Sequence, residues 1–463
     1  MKSKRLSSAL LHCTLGLGVG ILIAAAALVT AATVAGVFDT RPGTWTTTFA
    51  PFARLPSLAI TLNVPGMLRL ALAPAGQRLL DGSSKSTSIG RLEFRRHDRT
   101  LIVVCNPCRL EDARLALQPL ALPLELRLTP RDDGDLDARI DGVLNAQGVL
   151  VSFTARSTPE RIDLEWSLPR TDLAALVRVF AAAIPEAQDA QIEGTLSSSG
   201  TLTLPGLRAN STLQLADLHV SGLGTEALAE AAFQQRCTDP DGAPRRVVNG
   251  PGSRLWMPLE DIGDRLPAAV LAAEDQRFFE HPGYDTAEIA ASLSLAEPAH
   301  PSAGAPPRQL RGASTLTQQV ARTLFTGGER TAVRKLRELL YAVEMERTLG
   351  KQRILELYLN SVDWGPGVCG ARVAARTYFG KAPARLSALE AAWLAASLHQ
   401  PQRAYEREFL TGRADLERTH RVLAQMRSLA SGERARAARQ SLVFARAPRQ
   451  TPIAASAAAG AAP

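Results

Sequence analysis

Cysteine is scarce in this chain, with five in 463 residues, and this scarcity limits the chemistry that thiols can support. Cys105 and Cys108 are separated by two residues, but no second Cys or His pair supplies the other ligands of a zinc site. No thioredoxin-like pattern surrounds them, which argues against redox catalysis. The pair predicts a local disulfide in an exported domain. For Cys237 and Cys369, the sequence leaves open whether they pair.

Formal charge is absent from Leu6 to Phe38, directly after a basic N-terminal tip. Such a run is long enough to cross a bilayer as a helix, and the basic end indicates the cytoplasmic side. A cleaved signal peptide is the alternative, because the Ala-rich residues 31–35 resemble a cleavage site, but the run exceeds a typical signal-peptide core. We expect a single-pass inner-membrane anchor over residues 1–39, with a cytoplasmic N-terminus and the bulk of the chain in the periplasm.

The surplus of positive charge is moderate. The chain has 53 Lys and Arg against 45 Asp and Glu, a formal net charge of +8. Such a balance is common in nucleic-acid-binding proteins, but an anchored chain has an anionic membrane surface beside it. We therefore expect the membrane and phosphate-bearing lipid as partners, and no nucleic acid.

A His-Glu-x-x-His motif and any clear cluster of metal ligands are also missing from the sequence. His281 follows Glu280 directly, a neighbourhood that invites a metal interpretation. Without further ligands at metal-site spacing, His281 is better predicted to be a structural hydrogen-bonding residue.

Residues 40–230 contain short runs of alternating apolar and polar side chains, separated by Gly, Pro, Asn and Asp. Clear examples are the runs 124–128, 161–166 and 201–204. Alternation with period two is typical of strands that bury one face, so we predict a β-rich, mostly antiparallel domain. An apolar stripe at helical spacing predicts one helix over residues 171–183.

Residues 231–447 have helical texture, with turn residues 239–242 near the start. Prolines within residues 292–307 prevent a continuous helix and predict a loop. The Arg-rich stretch 413–439 predicts a solvated helical face, with a membrane-surface role as the alternative. Residues 448–463 are Ala-rich without periodicity and predict a disordered tail. The fold class is thus multidomain α+β: a transmembrane helix, a β-rich domain and a mainly α-helical domain.

An acidic pair, Glu274 and Asp275, lies on a predicted helix over residues 267–279. Apolar residues share the face of Glu274, and a positioned carboxylate of this kind can accept a proton from a hydroxyl as a general base. An isolated acidic pair on a helix is usually just solvated. The motifs that follow favour the catalytic interpretation here.

Ser314 and Thr315 are suited to cap the N-terminus of a helix, and Arg322 follows two turns later. The free amides and dipole of a helix N-terminus favour phosphate oxygens. An ordinary capped helix is the alternative interpretation.

Arg334 and Lys335 lie four and three residues before Glu338, so the three share one helical face. A structural salt bridge is the interpretation that the spacing alone supports.

Six segments follow one another in fixed order, and together they carry a family resemblance. They are residues 274–283, 312–319, 334–338, 351–360, 365–371 and 374–381. The series resembles the peptidoglycan glycosyltransferases of glycosyltransferase family 51, over roughly residues 237–405. The turn at residues 363–365 looks most like that of the monofunctional biosynthetic transglycosylases.

The resemblance implies a lysozyme-like helical domain that polymerises lipid II into glycan strands, with inversion at the anomeric carbon and release of undecaprenyl diphosphate. It makes Glu274 the catalytic base and Glu338 a second essential carboxylate. It assigns the following residues to substrate or diphosphate binding: Asp275, Ser314, Thr315, Gln318, Gln319, Arg322, Arg330, Arg334, Lys335 and Lys351.

The resemblance also bears on cofactors and partners. A divalent cation, Mg²⁺ or Mn²⁺, held by Asp275 or Glu338 is compatible with the family, and no organic cofactor is expected. Lipid II, the growing glycan strand and other cell-wall synthesis proteins are the implied partners. The family usually has lysine at the position of Arg322 and often glycine at that of Ala313. The first departure keeps the charge, and the second limits close backbone approach.

Two other functions fit parts of the sequence. A lysozyme-like peptidoglycan-cleaving enzyme also uses a glutamate on a helical lobe, although it needs no diphosphate clamp. A catalytically silent envelope scaffold or lipid-handling protein would use residues 40–230, whose end is faintly similar to the AsmA-like envelope proteins. The chain contains neither a Ser-x-x-Lys nor a Lys-Thr-Gly motif, so we expect no penicillin-sensitive transpeptidase activity.

Overall fold

The computed structural model describes residues 30, 32–33, 35–49, 60–112, 117–131, 138–205, 208–239, 241, 243–286, 289, 314–327 and 331–445. Most of the predicted anchor, the predicted loop at 292–307, Arg330 and the predicted tail lie outside these residues. Among them, no helix combines the length and apolar character that crossing a membrane requires. The chain forms two compact units, whose main division falls between His219 and Val220.

The first unit contains a two-stranded pair and a nine-stranded sheet. Each strand of the large sheet lies beside its neighbours in sequence, and the pairs with a described register are antiparallel. The prediction of a β-rich N-terminal region is confirmed. The strands are β1 Thr46–Phe49, β2 Ile60–Asn63, β3 Ser84–Thr87, β4 Gly90–His97, β5 Thr100–Asp112, β6 Leu117–Arg131, β7 Ala138–Ala146, β8 Val149–Ser157, β9 Ile162–Asp172, β10 Gln191–Leu204 and β11 Arg208–Ser221.

One face of this sheet is covered by three helices, α1 Val64–Leu72, α2 Pro74–Leu80 and α3 Leu173–Val179. Alternation brings apolar side chains opposite one another on that face, for example Phe153 opposite Trp166. The helix predicted over residues 171–183 exists, but it is shorter, because the backbone tightens into a 3₁₀ turn at Ala181–Ala183.

A disulfide joins Cys105 and Cys108 within β5, with 5.2 Å between their Cα atoms. Both side chains are buried. The register of β5 with β6 shifts between these two residues, so the disulfide closes a local irregularity of the strand.

The second unit begins with a hairpin, β12 Phe233–Thr238 and β13 Pro244–Asn249, and is otherwise helical. Its helices are α4 Leu259–Ile262, α5 Arg265–Glu274, α6 Leu316–Ala321, α7 Ala332–Thr348, α8 Gly350–Ser361, α9 Ala371–Phe379, α10 Ala388–Ser397, α11 Pro401–Arg403, α12 Leu416–Gln425 and α13 Ser431–Ala437. Two π-helical turns interrupt the pattern, Arg322–Thr326 after α6 and Ala404–Phe409 after α11. The prediction of a helical C-terminal region is confirmed.

Helix α10 lies at the centre of this unit, since every one of its residues is buried. A helix that is apolar on all sides needs neighbours on all sides. Helices α5 and α12 both pack against it, and Trp393 contacts the aromatic rings of Tyr378 and Phe379 from α9. Helix α5, which ends at Glu274, therefore rests on the most rigid part of the unit.

A second disulfide joins Cys237 in β12 to Cys369, with 5.9 Å between their Cα atoms. The same connection is supported by hydrogen bonds. The Thr238 hydroxyl donates to Asp363 Oδ2 at 2.9 Å, and the Gly367 amide donates to the Thr238 carbonyl. The hairpin is thus fixed to the turn that precedes α9, a pairing that the sequence had left open.

Candidate active site

Helix α5 ends at Glu274, five residues before the end that the sequence predicted, so the predicted helix over residues 267–279 was wrong at its C-terminal side. Asp275 leaves the helical region, with φ −159° and ψ 79°, although its amide still donates to Leu271. The carboxylate of Asp275 accepts hydrogen bonds from two other segments. The two neighbouring carboxylates therefore have different surroundings.

Asp275 joins His281 to the start of α6. Nε2 of His281 lies 3.0 Å from both carboxylate oxygens, and the Leu316 amide donates to Oδ2 at 2.9 Å. The Gly283 amide donates to Nδ1 of His281 at 3.2 Å, so Nδ1 carries no proton and Nε2–H donates to Asp275. His281 is therefore a structural hydrogen-bonding residue, and Asp275 orients two segments.

Thr315 caps α6 with a capping box. Its hydroxyl accepts from the Gln318 amide, and the Gln318 side chain accepts from the Thr315 amide. The Thr315 hydroxyl also donates to the Gly283 carbonyl at 2.6 Å. Since the Leu316 amide is bound to Asp275, this helix end has fewer free amides for a phosphate than the sequence analysis expected.

Glu274 is held by a chain of two side chains. The Gln319 amide nitrogen donates to Glu274 Oε2 at 3.0 Å, and the Tyr358 hydroxyl donates to Gln319 Oε1 at 3.3 Å. A carboxylate accepts only, so it selects the amide orientation in which the NH₂ group faces it. Burial, and then the charge of Glu274, raise the pKa of Tyr358 well above its ordinary value, which keeps this hydroxyl a donor.

Glu338 lies fully buried on α7 between two cations. Arg334 donates a hydrogen bond to Oε1, and Lys335 Nζ lies 3.0 Å from Oε2, close enough for an ion pair although not aligned as a hydrogen bond. Lys335 also donates to the Ser314 hydroxyl, which brings the N-terminal end of α6 to α7. Burial lowers the pKa of Lys335, against the opposing effect of Glu338.

Arg322 differs from these cations because its guanidinium makes no hydrogen bond or ion pair within the described part of the chain. It opens the π-helical turn after α6, a kind of irregularity often found at functional sites. Its charge acts on the pKa of both Tyr358 and Lys335. Arg322 directly follows α6, the helix whose Gln319 binds Glu274 and whose N-terminal neighbour Ser314 binds Lys335.

The resemblance assigned Lys351 to substrate binding. In the structure, its ammonium binds other groups of the protein. Its ammonium donates to the His281 carbonyl at 2.6 Å and to Glu346 at 2.9 Å, and it lies 4.4 Å from the centre of the Phe278 ring. The Thr317 hydroxyl donates to the same Glu346 oxygen. Lys351 thus fixes the turn after Glu274 against α6 and α7.

The two carboxylates proposed for a divalent cation do not form a preformed metal site. Asp275 is bound by His281 and Leu316, and Glu338 is bound by Arg334 and Lys335. Within the described residues, no three His, Cys, Asp or Glu side chains are grouped to hold a metal ion. These carboxylates fit a network of protein donors.

Sequence reasoning missed several members of this arrangement. Tyr358 lies within the motif at residues 351–360, and its hydroxyl among apolar neighbours was the only sequence signal of a role in the site. Glu346 and Gly283 carried no recognisable signal, because their partners come from distant segments. Glu274, Gln319, Arg322, Lys335 and Glu338 are brought together as expected from the order of the motifs.

In the helical unit, a glutamate fixed by hydrogen bonds occurs together with a cluster of cations, the combination expected of an enzyme that transfers sugars from a diphosphate. Comparison with known proteins supports the same class. A family model described as "Transglycosylase" matches residues 242–427. The chain is 44% identical over 181 residues to a biosynthetic peptidoglycan transglycosylase of Rhodospirillum centenum, covering 38% of this chain and 75% of that relative. The chain belongs to the transglycosylase family.

A second relative is the biosynthetic peptidoglycan transglycosylase of Aeromonas hydrophila, 47% identical over 148 residues. The match covers 32% of this chain and spans 60% of that relative. A crystal structure of penicillin-binding protein 1A from Haemophilus influenzae matches 47% of this chain and 21% of that chain, at 21% identity and a TM-score of 0.24. That score is too low to support a conclusion about fold.

Proposed function

We propose that the chain is a peptidoglycan glycosyltransferase that polymerises lipid II into glycan strands, with inversion at the anomeric carbon and release of undecaprenyl diphosphate. The observation that carries the proposal is the short helix α6: its Gln319 holds Glu274, and Ser314 before it binds Lys335. Arg322, directly after α6, has no partner for its guanidinium within the described residues. Membership of the transglycosylase family supports the same reaction. We also propose a lysozyme-like fold for the helical unit and an inner-membrane location.

In the proposed step, the acceptor hydroxyl oxygen forms a bond to the anomeric carbon of the lipid-linked donor. The bond from that carbon to the diphosphate oxygen breaks, and its electron pair leaves with the diphosphate. Glu274 takes the proton of the hydroxyl as general base. Gln319 holds the carboxylate in one rotamer through Oε2, and Tyr358 holds Gln319.

The departing diphosphate gains negative charge at the oxygen that leaves, so fixed cations stabilise the transition state more than the ground state. Arg322 is suited to this role because no protein acceptor in the described residues competes for its guanidinium. Lys335 is the second candidate, since Ser314 and Glu338 fix its ammonium. Glu338 and Arg334 position these charges.

Lipid II polymerisation by the purified full chain in detergent tests the proposal. Glu274→Gln keeps the shape of the side chain but cannot accept the proton, so the rate should fall by on the order of 10²–10⁴-fold. The matched control is Glu280→Gln, which changes an exposed carboxylate six residues away and should leave the rate unchanged. A near-normal rate for Glu274→Gln would remove Glu274 as the base.

The same preparation separates polymerisation from peptidoglycan cleavage. A transferase should be inactive on isolated sacculi when no lipid II is present. Release of soluble fragments from sacculi, lost in Glu274→Gln, would instead identify a lysozyme-like hydrolase.

A further inference from the structure

The β12–β13 hairpin of the second unit has two arginines directly opposite each other. The strand register pairs Arg236 with Arg246, and it pairs Gln234 with Val248 two positions along. Because side chains alternate across a strand, these four lie on one face of the hairpin. The intervening Gln235 is buried on the other face, so the face that carries the arginines is the outer one.

Neither arginine has a partner among the residues that the structure describes. Both are exposed, and within the described residues neither makes a hydrogen bond or ion pair. Their neighbour Arg245 does have a partner, since it lies 2.9 Å from Asp239. Like charges directly opposite each other destabilise an antiparallel pair, and an anion bound between them would remove the repulsion.

The outer face also carries an exposed apolar side chain. Val248 is 60% exposed, and it lies two register positions from the arginine pair on the same face. Basic groups beside a solvent-exposed apolar residue are typical of surfaces that lie on an anionic bilayer, where phosphates bind the cations and the apolar group enters the headgroup region.

The hairpin lies beside the candidate active site. A methyl group placed on Gly327 would lie 3.6 Å from Nη1 of Arg236, and Gly327 directly follows the π-helical turn that Arg322 begins. A bilayer in contact with this face would therefore be close to the unpaired cation of the site.

We propose that the outer face of the hairpin binds acidic phospholipid headgroups, with Arg236 and Arg246 contacting phosphate and Val248 entering the headgroup region. This contact holds the entrance of the site at the bilayer surface. The inference rests on the proposed function only in that a lipid-linked substrate gives the contact its purpose. The binding itself is independent of catalysis.

The test is amide hydrogen exchange of the full chain reconstituted in nanodiscs, either of phosphatidylcholine alone or with a third of phosphatidylglycerol. We expect amides of residues 243–249 to exchange more slowly with the acidic lipid. Each surface arginine strengthens binding to acidic lipid about fivefold, so Arg236→Gln with Arg246→Gln should weaken docking on the order of 30-fold and abolish the protection. The matched control, Arg427→Gln with Arg439→Gln, removes two other exposed arginines and should keep it.

Three outcomes would overturn the proposal. Exchange that is equal in both lipids would mean that the face does not contact acidic headgroups. Protection that survives in the hairpin double variant would place the contact elsewhere. Protection produced in detergent by inorganic diphosphate alone would identify a site for soluble anions. Because Glu274→Gln should show normal protection, loss of activity and loss of docking are distinguishable.

Discussion

The two units of this chain use carboxylates in opposite ways. In the β-rich unit, acidic side chains pair on the surface of the sheet, as Arg131 does with Asp141 at 2.6 Å, where both partners are about half exposed. In the helical unit, Glu338 and Glu344 are completely buried. Glu344 accepts hydrogen bonds from the amides of Leu223 and Thr225, more than a hundred residues earlier in the chain.

This difference separates a solvated scaffold from a preorganised site. Exposed ion pairs contribute about 0–1 kcal/mol, because water screens the charges. A buried carboxylate is stabilised by donors and cations that are held in place together with it. The helical unit holds Glu338 by a hydrogen bond from Arg334 to Oε1 and by an ion pair between Oε2 and Lys335. Charges held in this way need no reorganisation when a negative leaving group forms.

The largest expected effect compares the two disulfides, one in each unit. Cys237 and Cys369 are 132 residues apart, whereas Cys105 and Cys108 are 3 apart. By the entropy of loop closure, removing the first disulfide with two serines should lower the free energy of unfolding by about 5 kcal/mol, and removing the second by about 2 kcal/mol.

Urea unfolding of the full chain in detergent, followed by far-UV circular dichroism, measures both losses. The helical signal near 222 nm reports on the second unit. An equal loss for the two serine pairs would show that loop length does not set the contribution of these disulfides.

The next effect compares a buried with an exposed carboxylate. Glu338→Gln removes a buried charge that pairs with both Arg334 and Lys335, and it should cost about 3–5 kcal/mol of unfolding free energy. Asp141→Asn, the exposed control, should cost less than about 1 kcal/mol. Polymerisation should also fall in Glu338→Gln, because Lys335 loses its fixed position. Similar stability losses for the two variants would contradict the comparison.

A third prediction separates catalysis from stability within the helical unit. Arg322 makes no bond to the described protein, so Arg322→Gln should leave the unfolding midpoint unchanged. The polymerisation rate should fall by on the order of 10²–10³-fold, the effect of removing one group that stabilises a developing charge. Arg322→Lys, which keeps a positive charge at this position, should recover most of the rate. A loss of stability in Arg322→Gln would show that Arg322 stabilises the fold and would contradict a purely catalytic role.

The features that the sequence predicted correctly are those set by local patterns, and the features it missed depend on contacts between distant residues. The strands of the β-rich unit were predictable because alternation is a local signal, as in the run 161–166, of which residues 162–166 lie in β9. The helices were predictable for the same reason, but their ends were not. Helix α5 stops at Glu274 because Asp275 binds Leu316, a contact across 41 residues that no local pattern encodes.

The site shows the same limit. The order of the motifs predicted which acidic and basic residues meet, and Glu274, Arg322 and Glu338 are in one region. The roles of Tyr358 and Lys351 depended on tertiary contacts, since both bind groups from other helices or turns. The residue type indicated which hydrogen bonds each side chain can form. Only the fold indicated which group in the protein forms them.

The smallest expected effect concerns pH and the turn that the long-range disulfide anchors. Burial raises the pKa of Asp363 above its ordinary value of 3.8, although the Gly365 amide and the Thr238 hydroxyl oppose this shift. A raised pKa in the folded state means that the folded chain binds the proton more tightly than the unfolded chain. The stabilisation from Asp363 is therefore complete below about pH 4 and is lost as the pH rises through the folded-state pKa. Asp363→Asn has no such titration, and its amide can still accept from Gly365 and donate to Thr238. The wild type should thus lose stability relative to Asp363→Asn as the pH rises above 4, measured as the difference between their urea midpoints at several pH values. If the wild type instead gained stability relative to Asp363→Asn as the pH rises, the two hydrogen bonds would lower the pKa of Asp363 more than burial raises it.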